Sequence, residues 1–167
     1  MAEQVFPTKG NLMKARKTLA LCRLGYDLMD RKRNILIREM MQLMDKAKSL
    51  RNSIEDTYKE AYAALQDANI TLGVIDKIAR SVPIEDGITV TYRSVMGVDI
   101  PNVTLERREI EVPYGFYYTN SQLDKAYVSF SKVKDMTVLL AEVDNSIYRL
   151  ATAIKKAQRR ANALQNI

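Results

Sequence analysis

The groups most able to act on another molecule are two basic clusters. Arg31, Lys32 and Arg33 form one, and Lys155, Lys156, Arg159 and Arg160 form the other, far downstream. Cations at such density hold phosphates, an anionic membrane surface or an acidic protein, and the formal net charge of +6 points the same way. Two features speak against nucleic acid. The cluster residues spread around a helix, and the tightest run of aromatics that could stack bases, Tyr114 to Tyr118, lies in the middle of the chain away from both clusters. Catalytic chemistry has little to work with. Histidine is absent, which removes His-based triads, His-ligated zinc and the usual general base near neutral pH. Neither common glycine-rich phosphate loop is present. Asp27, Asp30 and Glu39 alternate with Arg23, Arg31 and Arg38, the pattern of a solvated helix face rather than an acid–base pair. Cys22 is the one cysteine, so no internal disulfide can form. It falls on an apolar stripe, where a free thiol behaves as a small hydrophobe. No metal, cofactor or catalytic residue is expected.

The elements that carry these groups announce themselves by their period. Stepping from Leu12 alternately by three and four gives Ala15, Leu19, Cys22, Tyr26, Met29, Arg33, Leu36, Met40, Leu43, Ala47, Leu50, Ile54, Thr57, Ala61, Ala64 and Ala68, of which only Arg33 and Thr57 are not apolar. That is the seam of a coiled coil. Thr8 after Pro7 is a suitable N-cap, and Ser81-Val82-Pro83 is the next strong stop, so one helix is expected over 8–80, with a kink or frayed end possible near Gly73. A second seam runs through Val133, Met136, Leu140, Val143, Ile147, Leu150, Ile154, Ala157, Ala161 and Leu164. Ser121 followed by Asp124 resembles a capping box, placing the return helix at 121–167. Arg33 on the first seam either fixes register or meets a group outside the pair.

Between the seams, over 81–120, the period changes to two. "ITVTYRSV" puts Ile88, Val90 and Tyr92 on one face, and Val98 and Ile100 alternate again, which reads as a short β-hairpin followed by an aromatic loop, "IEVPYGFYYTNS". The expected fold is mainly α: a long, left-handed antiparallel two-stranded coiled coil with a small hairpin-containing head between its arms. The head interrupts the seam, so the arms are not expected to need it for burial. No apolar run reaches the ~18 residues of a membrane span, and MAEQVFPTK lacks a secretory core. A cytoplasmic protein is expected.

In order along the chain, "PTKGNLMKARKTLALCRLGYDLMDRKRNILIREMMQL", "SVMGVDIP", "YGFYYTNSQLDKA" and "RRANAL" resemble the first helix, the head's second strand, the entry to the return helix and the later part of that helix in the D subunit of the V-type and archaeal-type rotary ATPases. The resemblance implies a non-catalytic central-stalk rotor shaft that holds no nucleotide. It would transmit torque between the ring of catalytic A and B subunits and the membrane ion-translocating ring. Its expected partners are those ring subunits, the small globular F subunit and the funnel-shaped subunit capping the membrane ring. It would touch the membrane only indirectly and bind no nucleic acid. The head would project sideways. Partner-facing candidates are the two basic clusters with Val95, Met96, Val98, Tyr114 and Phe116.

The family's return helix runs several turns beyond the position of Leu164, so a shortened second arm is expected here. Placing residue 80 opposite 121 sets 167 opposite 34 and leaves 8–33, with Leu12, Leu19, Leu24 and Met29, unpaired. Self-association of such a chain is expected. The alternatives are a generic basic coiled-coil adaptor and a nucleic-acid-binding coiled coil, neither of which requires the hairpin and the loop after it.

Overall fold

In a computed structural model that describes residues 6–106 and 112–166, the seam period becomes two long helices packed antiparallel. The first, α1, spans Lys9–Leu72 and extends roughly 95 Å at 1.5 Å per residue. Thr8 caps it, its hydroxyl accepting the Asn11 N–H at 3.3 Å. A four-residue helix, α2 (Asp76–Ala79), follows. Two antiparallel strands come next, β1 (Ile88–Val95) and β2 (Val98–Leu105), paired from Ile88↔Leu105 to Val95↔Val98. A short 3-10 turn at Phe116–Tyr118 leads into α3, Ser121–Gln165. Residues 107–111, where the aromatic loop begins, and Ile167 at the end of the second arm lie outside the described residues.

Every buried residue of α1 (Cys22, Leu36, Ala47, Ile54, Ala61, Ala64 and Ala68) lies on the expected seam. On α3, Val133, Val143, Leu150, Ala157 and Ala161 are buried as the period requires. Met29, Met40, Leu43, Leu50, Leu140, Ile147, Ile154 and Leu164 are half-buried along the same line. Toward the α2 end the seam is built from small residues, with Ala126 and Ser129 of α3 buried as well as the three alanines of α1. Small side chains at a helix contact let the backbones approach closely. Leu12 and Leu19 are exposed, since α3 does not reach them.

Three expectations need correction. The first helix ends at Leu72, not 80, because Gly73 takes φ 75 and its N–H closes on the Asn69 carbonyl at 2.9 Å. A positive φ is cheap only for glycine, so the chain leaves the helix there. Pairing slides accordingly: Thr71 rather than residue 79 meets Gln122, Oγ1 to Oε1 2.7 Å, and Leu164 packs beside Gly25. The unpaired arm is therefore roughly the stretch before Cys22, not 8–33. Second, the cap of α3 is Asn120, whose Oδ1 accepts the Leu123 N–H at 3.0 Å; Ser121 is already helical, and Asp124 is engaged by Tyr114. The Asn120 amide also donates to Thr71 Oγ1 at 2.8 Å, so one side chain caps α3 and ties it to the last turn of α1.

Third, the hairpin does not project sideways. It lies along the helix pair, with β2 against α3. Ile100 is 1% exposed and forms a cluster with Leu36 and Leu150, both at 0%, with Val95 and Val98 packed around them. A two-stranded hairpin is marginal by itself. Burying Ile100 where α1 and α3 meet gives this one a core, and gives the helix pair a third wall.

Candidate functional site at the hairpin tip

The tip of the hairpin is where the candidate groups collect, and chain geometry explains why. The linker before β1 is fixed to α3 by Lys134 Nζ and Glu85 Oε2 at 2.6 Å. From there β1 runs eight residues, roughly 27 Å at ~3.4 Å each. The same distance along a helix is about eighteen residues, which leads from Lys134 to Thr152. Two contacts hold the return strand parallel to this path. The Val103 N–H donates to Glu142 Oε2 at 2.9 Å, and Arg149 Nη1 donates to the Asp99 carbonyl at 3.1 Å. Arg149 also stacks on Tyr92, its guanidinium carbon 5.2 Å from the ring centre. Arg93 reaches across to Glu39 of α1 at 4.0 Å.

The chain reverses through Met96 and Gly97, with φ 51 and 75. Two successive positive φ values are those of a type I′ hairpin turn, and glycine suits its second position. This turn sets Gly97 close to Lys32: a methyl at Gly97 would lie 4.0 Å from Nζ. The antiparallel register does the rest. Arg33 meets Gln158, so the clusters at 31–33 and 155–160, remote in sequence, flank one another. Together with the tip they enclose a cavity of about 340 Å³.

The sequence-predicted residues divide clearly there. Lys32, Lys156 and Arg160 line the cavity. Lys155 and Arg159 are exposed on α3 outside it, and Arg31 is exposed on α1. Arg33 turns inward across the seam. Its Nη1 donates to Gln158 Oε1 at 2.6 Å, and its Nη2 pairs with Asp30 at 2.6 Å. Its Nε is buried without a hydrogen-bond partner among the described residues. A seam charge held this way serves register. Met96 and Phe116 are exposed; Val95 and Val98 pack on the Ile100 cluster. Tyr114 is buried rather than outward-facing, because its ring meets Tyr127 edge-on at 5.9 Å and its hydroxyl donates to Asp124 Oδ1 at 2.7 Å. Burial, and then the Asp124 carboxylate, push its phenol well above the ordinary range.

Sequence reasoning missed Arg149 and Asp99. Arg149 reads as one more charge on a helix face, and only the docked strand gives it partners. Among the described residues there is no cluster of metal-ligating side chains, and no helix is long and apolar enough to cross a membrane.

Residues 11–167 match the model of the family described as the D subunit of ATP synthase. The chain belongs to that family. The D subunit of a V-type ATP synthase from Thermotoga neapolitana is 41% identical over 165 residues, covering 98% of this chain and 81% of that protein. Its A-type counterpart from Methanobrevibacter smithii is 36% identical, covering 96% and 72%. The A-type protein from Pyrococcus horikoshii is 33% identical, covering 98% and 79%. The cavity, the hairpin and both seams fall inside the matched span.

Proposed function

We propose that this chain is the central rotor shaft of a V-type or A-type rotary ATPase, transmitting torque between the catalytic ring and the membrane ion-translocating ring without doing chemistry itself. The observation that carries this reading is the helix pair, locked from Thr71–Gln122 at one end to Gly25–Leu164 at the other. A single helix of such length curves. Two helices with interlocked side chains resist bending and twisting, which a torque-bearing element requires.

The surface suits rotation inside a sleeve. Deep specific contacts would trap one angle, whereas exposed ion pairs contribute only ~0–1 kcal/mol each and let successive angles remain close in energy. In this reading the A and B subunits surround the α1 arm, the F subunit docks on the lower part of the helix pair, and the α2 end rests on the funnel-shaped subunit capping the membrane ring. Ile70, Val74, Ile84, Phe116, Tyr117 and Tyr118, all strongly exposed near that end, support a foot that is covered in the assembly. The chain then works on the cytoplasmic face, peripheral to the membrane.

The decisive experiment locks the rotor. Arg16→Cys, on the exposed arm, is crosslinked to a cysteine on the inner wall of a reconstituted A/B ring. ATP turnover should stop on oxidation and return on reduction. Crosslinked complexes that hydrolyse ATP at the uncrosslinked rate would exclude a rotating shaft.

A further inference from the structure

The cavity at the hairpin tip has a composition that the shaft reading does not use. Its rim carries Lys32 from α1 and Arg149, Lys156 and Arg160 from α3, against one carboxylate, Asp99, among the residues that line it. Lys32, Lys156 and Arg160 make no ion pair among the described residues, and on α1 Asp30 and Glu39 are engaged with Arg33 and Arg93 instead. Arg149 is already positioned by the Asp99 carbonyl and the Tyr92 ring. Unpaired cations drawn together repel one another, and the helix pair gains nothing from them. The floor beneath them is apolar, formed by Met29, Val98, Ala153 and Ala157. A concave apolar floor with convergent charges is a small-ligand site rather than a flat protein contact.

We propose that this cavity binds a short phosphoanhydride chain, free or carried by a nucleoside. Four cations facing one carboxylate call for a ligand bearing several negative charges within a few ångströms, which a single phosphate or carboxylate does not supply. Arginines offer forked donors that match phosphate oxygens, and the lysines supply point charges beside them. Lys32 stands on α1 and the other three cations on α3, so the bound anion would tie the two helices to each other across the cavity. The inference is independent of the shaft reading, since it concerns a site that the chain carries whether or not it turns.

The test is calorimetric titration of the full chain at ~0.15 M salt, where loose electrostatic binding is screened. The probes are tripolyphosphate, ADP, AMP and sulfate. Tripolyphosphate or ADP should bind at least about tenfold tighter than sulfate or AMP. Lys156→Gln with Arg160→Gln should weaken that binding about tenfold or more, as expected for losing charge-assisted hydrogen bonds. Lys155→Gln with Arg159→Gln removes the same charge from the same helix outside the cavity, and should change it less than threefold. Both pairs are exposed, so folding is not at stake, and helicity checks this. A preference for ADP over tripolyphosphate assigns a nucleotide and revises the expectation that the subunit holds none; the reverse assigns inorganic polyphosphate. Equal losses in the two double variants, equal binding of sulfate, or no binding at all would overturn the proposal.

Discussion

Replacing Ile100 by alanine should detach the hairpin from the shaft. Ile100 is 1% exposed and sits on Leu36 and Leu150, each at 0%. The substitution removes three buried carbons, about 2.5 kcal/mol at ~0.8 kcal/mol per methylene. The cavity left behind adds to this, and buried Ile→Ala changes typically total ~2–5 kcal/mol. The hairpin can avoid part of that by lifting off, but lifting releases the Val103–Glu142 and Asp99–Arg149 hydrogen bonds and wets Leu36 and Leu150. Either route destabilises the docked state by roughly 2 kcal/mol or more, which at ~2–4 °C per kcal/mol for a chain of this size lowers the melting temperature by at least ~4–8 °C.

Hydrogen exchange separates the outcomes, because it reads the hairpin and the helices individually. Amides of 88–105 should lose protection in Ile100→Ala while those of α1 from Cys22 to Leu72 largely keep theirs. Ile88→Ala is the matched control: the same residue type in the same hairpin, but 46% exposed. It should shift stability by less than ~1 kcal/mol, because most of its surface is already in water. If the two variants behave alike, or if Ile100→Ala keeps wild-type protection in the hairpin, the claim that Ile100 joins the hairpin to the helix core is refuted.

Three further outcomes follow from particular contacts. The Tyr114 phenol is pushed up by burial and by Asp124, so its contribution to stability should be complete below its ordinary value of ~10 and be lost as pH rises beyond that; Tyr114→Phe should show a flatter alkaline decline in thermal melts. Gly25→Ala should gain up to ~1 kcal/mol of helix propensity, but a methyl there meets Leu164 Cδ1 at 3.1 Å; the gain should therefore appear fully only with Leu164→Ala, as a coupling in denaturant titrations. The exposed Leu12, Leu19, Leu24 and Leu28 on the first arm should drive concentration-dependent self-association in sedimentation, abolished by Leu12→Ser with Leu19→Ser; a strictly monomeric parent chain would refute it.

The seams were legible because burial in a helix pair follows a period, and a period is written in residue types. The register was not. One alanine-lined turn resembles the next, so sliding α3 by two turns keeps apolar opposite apolar along Ala61, Ala64 and Ala68. What selects one alignment is a set of single contacts: the break at Gly73, Asn120 reaching Thr71, Leu164 filling the space over Gly25, and Arg33 meeting Gln158. Each is ordinary in sequence and decisive only in pairs. The two strands were likewise legible from alternation, but alternation names two faces and does not say which one is covered or by what. Tyr114 was misread for the same reason, since a loop aromatic looks exposed until its ring partner on the next helix is known.

The site itself depended on lengths more than on types. Basic clusters on two different helices would face different neighbours in most registers. Here the antiparallel alignment puts 31–33 beside 155–160, and a strand anchored at Lys134 reaches the same level because eight extended residues match about eighteen helical ones. Shortening the hairpin by two residues in each strand would draw its tip back by roughly 7 Å, away from Lys32 and Arg160. The cations would remain, but the third wall of the cavity would not. A hairpin shortened in this way, with Ile100 retained, should therefore keep most of its docking while losing any ligand that needs the tip, and this would separate the hairpin's structural role from its part in the site.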